Sequence, residues 1–315
     1  MDGPKIQYAL PTSNAWERMR TILFRPFDIA KWFLLGFSVW LASLAEGGAS
    51  FNSNINVDPE GASGRDFREF FEEGGEYISA NLAWLLPLTL IVLAIIIALF
   101  LLTLWLSSRG KMMFIDNLVY NRALVSYPWK QFKEPANSLF KWRIGFSIIS
   151  FIVVILPLIP AGWAIFQMIE VGFETKSLTI LIISFLVFFM LALVSGYIGI
   201  LLEDFITPLM HKYSLKTTEA WRRFLPLHRA MPGKFVLYFL WRLLLGLAAG
   251  IAILTLCLAT CCIGLILLCI PYIGVVVLLP LSVFIRSLSL EFLRQFGEEF
   301  DVFPEIEDPL QLSQS

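Results

Sequence analysis

The sequence predicts an all-α, polytopic membrane protein of six transmembrane helices, set out as three elbow-plus-hairpin repeats with both termini cytoplasmic. Three observations lead there: the composition, the spacing of long apolar runs, and the distribution of Lys and Arg. The chain has 315 residues, 57% of them hydrophobic and only 16% charged, whereas a soluble protein carries about 25% charged residues. A soluble catalytic domain is not expected.

Crossing roughly 30 Å of hydrocarbon as a helix takes about 20 residues. Residues 82–106, 144–169 and 178–202 contain no charge, and 235–285 contains one, Arg242. The last stretch is long enough for two spans, 235–258 and 265–287, joined by a hairpin near 259–264. A first span, 29–45, is short and has Lys31 near its start. Ser43-Leu44-Ala45 has the small-x-small form of a signal-peptidase site. Cleavage there would need a leader of about 45 residues, beyond the usual 15 to 30, so the first span is expected to be retained. Residues 1–300 therefore read as one integral membrane domain. An acidic extracytoplasmic loop is expected at 46–81 and an acidic, disordered cytoplasmic tail at 301–315.

Orientation follows from the basic residues, which are retained on the cytoplasmic side. Lys5, Arg18, Arg20 and Arg25 precede the first span. Arg109, Lys111, Arg122, Lys130, Lys133, Lys141 and Arg143 fall in one loop, and Lys212, Lys216, Arg222, Arg223, Arg229 and Lys234 in another. The opposite side holds Arg65, Arg68 and Lys176. The bias predicts a multi-pass protein of the cytoplasmic (inner) membrane.

The repeat rests on FIxxL. Phe114–Leu118, Phe205–Leu209 and Phe284–Leu288 each follow a predicted even-numbered span. Trp129-Lys130-Gln131-Phe132 and Trp221-Arg222-Arg223-Phe224 follow the first two, and Ala15-Trp16-Glu17-Arg18 matches Ala220-Trp221-Arg222-Arg223. A feature written three times is usually architectural. The elbows are expected to be interfacial helices, with Asn14 and Glu17 at capping-box spacing and a stripe of Trp16, Met19, Leu23 and Phe27. Trp16, Arg18, Trp129, Lys130, Trp221, Arg222 and Arg223 are the candidate headgroup or interfacial anchors, since Trp favours the headgroup level and cations attract anionic lipid. A specific phosphate-binding headgroup pocket is the sharper alternative.

The segments AWERMRTILFRPFDIAKWFLLGF, RGKMMFIDNLVYNRALVSYPWKQF and IPYIGVVVLLPLSVFIRSL resemble uncharacterised bacterial six-span membrane families. More distantly, the plan is similar to the membrane domain attached to some glycerophosphodiester phosphodiesterases. That resemblance implies a fold. The phosphodiesterase domain and its metal-binding carboxylates and His are missing from this sequence, so it implies no reaction.

Four cysteines, Cys257, Cys261, Cys262 and Cys269, gather near the predicted last hairpin. Without nearby His, Asp or Lys they read as small apolar residues rather than metal ligands, with a disulfide as the alternative. Arg242 lies within a span, where a charge needs a partner; Glu203 and Asp204 at the cytoplasmic end of the fourth span are the possible ones, an intramembrane ion pair of Arg242 with Asp204 is expected, and a substrate-binding charge is the alternative. Gly246 and Gly250 form a GxxxG expected to pack within the bundle. His211 and His228 share one elbow, leaving no intramembrane Ser/His pair and no HExxH. No enzyme, catalytic residue, metal or cofactor is expected, and nucleic acid is not an expected partner. The expected role is a non-enzymatic module that organises membrane lipid, anionic lipid included, or an unidentified membrane or cytoplasmic partner protein. The alternative is a transporter or channel, which would need Ser147, Ser150, Ser184, Ser195 and Tyr197 to converge on one polar path.

Overall fold

A computed structural model describes residues 6–46, 80–260, 264, 268 and 270–303. The acidic loop from 47 onward to 79, the tail beyond Phe303, and Cys261, Cys262 and Cys269 lie outside them. Among the described residues the chain is all-helical, with no strand. The helices are α1 (Ala9–Phe24), α2 (Ile29–Ser43), α3 (Leu82–Val119), α4 (Ser126–Gln131), α5 (Lys133–Ile155), α6 (Leu158–Glu170) and α7 (Thr175–Leu201). A π-helical turn (Leu202–Ile206) leads into α8 (Thr207–Tyr213), followed by α9 (Thr217–Ala230), α10 (Pro232–Ala259), α11 (Pro271–Val277) and α12 (Leu279–Arg294).

Four stretches are long and apolar enough to cross a membrane: Leu82–Val119, Lys133–Glu170, Thr175–Tyr213 and Pro232–Ala259. α2 is apolar but has 15 residues. That makes it about 22 Å long, less than the hydrocarbon thickness. Asp28 caps it, its carboxylate accepting from the backbone N–H groups of Ala30 (2.8 Å) and Lys31 (3.3 Å). Prolines mark helix starts as their missing N–H allows: Pro157 precedes α6, and Pro271 and Pro280 stand in the first turns of α11 and α12.

The described residues form two compact units, one from segments 1–49, 104–145 and 195–315, the other from 50–103 and 146–194. The second unit is apolar outward. Ile91, Ile96, Phe151, Ile159 and Phe185 are all more than half exposed. Such continuous apolar exposure is stable against lipid tails and not against water.

The first unit has the packed core. Phe205 stacks on Phe224 at 5.4 Å and meets Phe235 and Tyr238 at 5.2 and 5.0 Å, and Phe235 stacks on Phe296 at 5.3 Å. α2 runs beside the last turns of α3. A Cβ on Gly110 would fall 2.6 Å from the Leu41 carbonyl carbon, so only glycine permits this approach.

Three expectations change here. α3 continues 13 residues past the predicted end of its span, so Phe114–Leu118 is the last part of a long helix rather than an elbow. α1 begins at Ala9, five residues before the expected cap at Asn14. Asn14 instead donates to Glu291 (3.4 Å), and Glu17 pairs with Arg20 and Arg25. Glu46, placed by the apolar pattern at the outer end of the first span, forms ion pairs with Lys111 and Arg143, which the charge count places on the cytoplasmic side. A carboxylate at the end of a short helix has found the nearest cations.

Candidate functional site

All three FIxxL segments deliver buried polar residues to the first unit. In the first, Asp116 is 1% exposed and Asn117 fully buried. Thr207 of the second is fully buried, as is Ser287 of the third, beside Arg286 at 6%. A buried polar group usually finds partners: Asp116, Thr207 and Arg286 fall in one of two clusters, Asn117 donates to the Ser38 hydroxyl (3.1 Å) and the Leu124 carbonyl (3.0 Å), and the Ser287 hydroxyl has no hydrogen-bond partner among the described residues.

The larger cluster is built on the π-helical turn. The extra residue of a π-bulge shifts side-chain direction by a fraction of a turn, and here two consecutive carboxylates, Glu203 and Asp204, both find cations. Glu203 accepts from Arg286 (2.7 Å) and lies 3.0 Å from the Lys111 ammonium, while the Arg286 guanidinium also donates to the Glu203 backbone carbonyl (2.6 Å). Asp204 accepts from the Tyr238 hydroxyl (2.8 Å) and lies 2.9 Å from Arg242 Nε and 3.7 Å from Arg286. Thr207 satisfies the Leu202 carbonyl at 2.8 Å. Lys111 also contacts Glu46, and Arg143 donates to the Ser107 hydroxyl (2.9 Å). The network joins α3, α5, the π turn, α10 and α12.

The second cluster surrounds a cavity of about 460 Å³. Its walls come from the last turn of α3 (Asp116) and the stretch between α3 and α5 (Tyr120, Arg122, Tyr127 and Phe132), with His211 from α8. The Asp116 carboxylate accepts from Arg122 at 2.7 and 2.9 Å, and His211 Nε2 lies 3.2 Å away. Phe132 covers the imidazole at 4.6 Å, and Arg122 lies over Tyr120 and Tyr127 at 4.6 and 4.7 Å. Lys212 donates to the Glu299 carbonyl at 3.3 Å, so the last described residues close one side. The charges in this cluster engage one another, which suits an interior clamp.

The predicted anchors divide. Trp16 is exposed. Arg18 turns inward to Glu291 at 3.2 Å and over the Phe303 ring at 3.5 Å; burial lowers its pKa from the usual Arg range, and Glu291 acts against that shift. Trp129 meets Trp105 edge-on at 5.8 Å with Arg109 nearby, and Trp221 stacks on Trp142 at 5.8 Å. Arg223 pairs with Glu299 at 3.0 Å. Lys130 and Arg222 are exposed and have no ion-pair partner among the described residues. The structure also brings Arg242 to Asp204. Among the described residues nothing lies within 4 Å of where a Cβ on Gly246 or Gly250 would stand, where packing within the bundle was expected.

The sequence reading singled out Glu203 only as a possible partner of Arg242, and it missed the roles of Lys111, Arg286, Asp116, His211 and Glu291. The available signal was charge embedded in apolar flanks, as in KMMFID, LLEDFI and VFIRSL. Among the described residues, no three His, Cys, Asp or Glu are grouped to hold a metal.

A family described as of unknown function, DUF7544, has a model that matches residues 12–290. The chain belongs to that family. The DUF7544 match takes in every member of the π-turn network and the facing walls of the Asp116–His211 cavity, while Val302 and Phe303 lie beyond it. No curated protein and no solved structure matches the chain.

Proposed function

We propose that this protein is a non-enzymatic module of the bacterial cytoplasmic membrane that gathers anionic lipid, and through it partner proteins, at a basic cytoplasmic surface. The observation that supports this is the seam between α5 and α9. Trp142 and Trp221 stack there, Ser138 accepts from the Thr217 backbone N–H at 3.0 Å, and the neighbours Lys141 and Arg222 are exposed without ion-pair partners among the described residues. Lys130, Lys133, Arg229 and Lys234 share that condition. Each such cation near an anionic leaflet contributes about 1 kcal/mol, attenuated by salt. In this reading the basic segments around α5 and α9 supply the surface, the buried ion network keeps them in register, and the four long apolar stretches carry the chain through the bilayer.

The test is lipid selectivity at the protein surface. Spin-labelled phosphatidylglycerol should be held in excess over spin-labelled phosphatidylcholine around the reconstituted protein. Replacing Lys130, Lys133, Lys141, Arg222, Arg229 and Lys234 with Gln should remove most of that excess. Equal association of the two lipids with the wild type would end this proposal.

A further inference from the structure

α1 lies along α12, fixed by Trp16 against Phe284 (6.1 Å, edge-on) and by Arg18 against Glu291 (3.2 Å). Beside this contact an apolar groove of about 730 Å³ opens between α1, α10 and the start of α12. Two small residues on α10, Ala249 and Ala252, leave the depression that a larger side chain would fill, and Pro280 lines the opposite wall. The volume falls within the range of roughly 300 to 1,000 Å³ that holds a small hydrophobic ligand. α10 is one of the four helices fit to cross a membrane, and its neighbouring side chains Leu247, Ile251 and Leu254 are all exposed. The groove therefore faces a hydrocarbon phase.

Arg20 is the one charged residue among those lining the groove. It shares a carboxylate with a second cation: Glu17 lies 3.5 Å from Arg20 and 3.4 Å from Arg25, all three being exposed. Arg20 thus brings a guanidinium to the lining of an otherwise apolar slot, next to the exposed indole of Trp16, and Arg25 shares the carboxylate that would otherwise offset that charge alone. An anion with a long apolar tail complements that pattern.

We propose that this groove holds one acyl chain of an anionic glycerophospholipid, with the lipid phosphate paired to Arg20. This deepens the preceding proposal and rests on it for the anionic character of the surrounding membrane. It differs in kind, because the exposed cations attract a fluid excess of lipid whereas the groove retains a single molecule.

Photo-crosslinking tests it. The full chain is reconstituted with phosphatidylglycerol carrying a diazirine in its acyl chain, then with the matching phosphatidylcholine, and the crosslinked peptides are mapped. Phosphatidylglycerol should label peptides containing Ala249–Ile253 and Leu278–Phe284 several-fold more than phosphatidylcholine does. Ala252→Phe, a filling change at an exposed position, should abolish that labelling. Arg20→Gln should reduce it to the phosphatidylcholine level and Arg20→Lys should restore it in part. Equal labelling by the two lipids, or labelling of Ala252→Phe at the wild-type level, would overturn the proposal. If spin-label selectivity persists while groove labelling fails, the groove alone is wrong; if both fail, the lipid-organising reading falls too.

Discussion

Arg242 Nε lies 2.9 Å from Asp204 Oδ2, and the Tyr238 hydroxyl donates to the same oxygen at 2.8 Å. The carboxylate is 1% exposed and the guanidinium 20%. Removing one member of such a pair strands a buried charge and costs about 3–5 kcal/mol, whereas replacing both with apolar groups is often close to neutral. Asp204→Leu alone should lower the melting temperature sharply. The double change with Arg242→Leu should recover most of the loss in the same detergent. A double variant as unstable as the single changes combined would show that the two side chains do not act as a pair.

Gly110 gives a steric prediction. Its missing Cβ is where Leu41 and Ala42 of α2 pass α3, so Gly110→Ala must push the helices apart. The expected cost is about 1–3 kcal/mol, the usual range for overpacking. Denaturant unfolding of the purified protein checks this, with Gly145→Ala as control because a Cβ there meets nothing within 4 Å.

His228 gives a pH dependence. Burial lowers its pKa from the ordinary His value, and its Nε2 lies 2.8 Å from the Tyr197 hydroxyl. Below about pH 6.5 the unfolded chain binds a proton that the native imidazole resists, so this contribution is level above about pH 6.5 and stability falls as pH drops from there toward the native pKa. His228→Gln should flatten that part of the stability profile. A slope of the same size in the variant would assign the effect to other groups.

Arg18 separates anchoring from structure. Its partner Glu291 is 5% exposed, so Arg18→Gln should reduce thermal stability while leaving phosphatidylglycerol selectivity near the wild-type level. Loss of selectivity without loss of stability would return Arg18 to the lipid-facing set.

How far the molecule was legible depended on the kind of signal. The long helices followed from runs such as 82–106, because an uninterrupted apolar stretch has few alternatives to a buried or lipid-facing helix. The Arg242–Asp204 pairing came from a simpler rule: one charge in a span of more than 50 residues needs a partner. The π turn was not legible, since Leu202–Ile206 reads as ordinary helix and only the packing of Glu203 and Asp204 against three cations reveals the extra residue. Hydropathy missed the extension of α3 to Val119 for a related reason. Arg109, Lys111 and Asp116 look like a loop in sequence, yet each is buried among partners from distant segments. The Trp motifs marked the right elements but not their contacts, because an indole stacked on Trp142 and an indole in a headgroup layer have the same one-dimensional signature.

The most direct test of the central claim is native mass spectrometry of the full chain extracted gently from its own membrane, with every retained lipid counted. Retained phosphatidylglycerol or another anionic lipid, sharply reduced when Lys130, Lys133, Lys141, Arg222, Arg229 and Lys234 are all changed to Gln, is the predicted result. A wild-type protein that carries no anionic lipid, or a Gln variant that carries as much as the wild type, would contradict it.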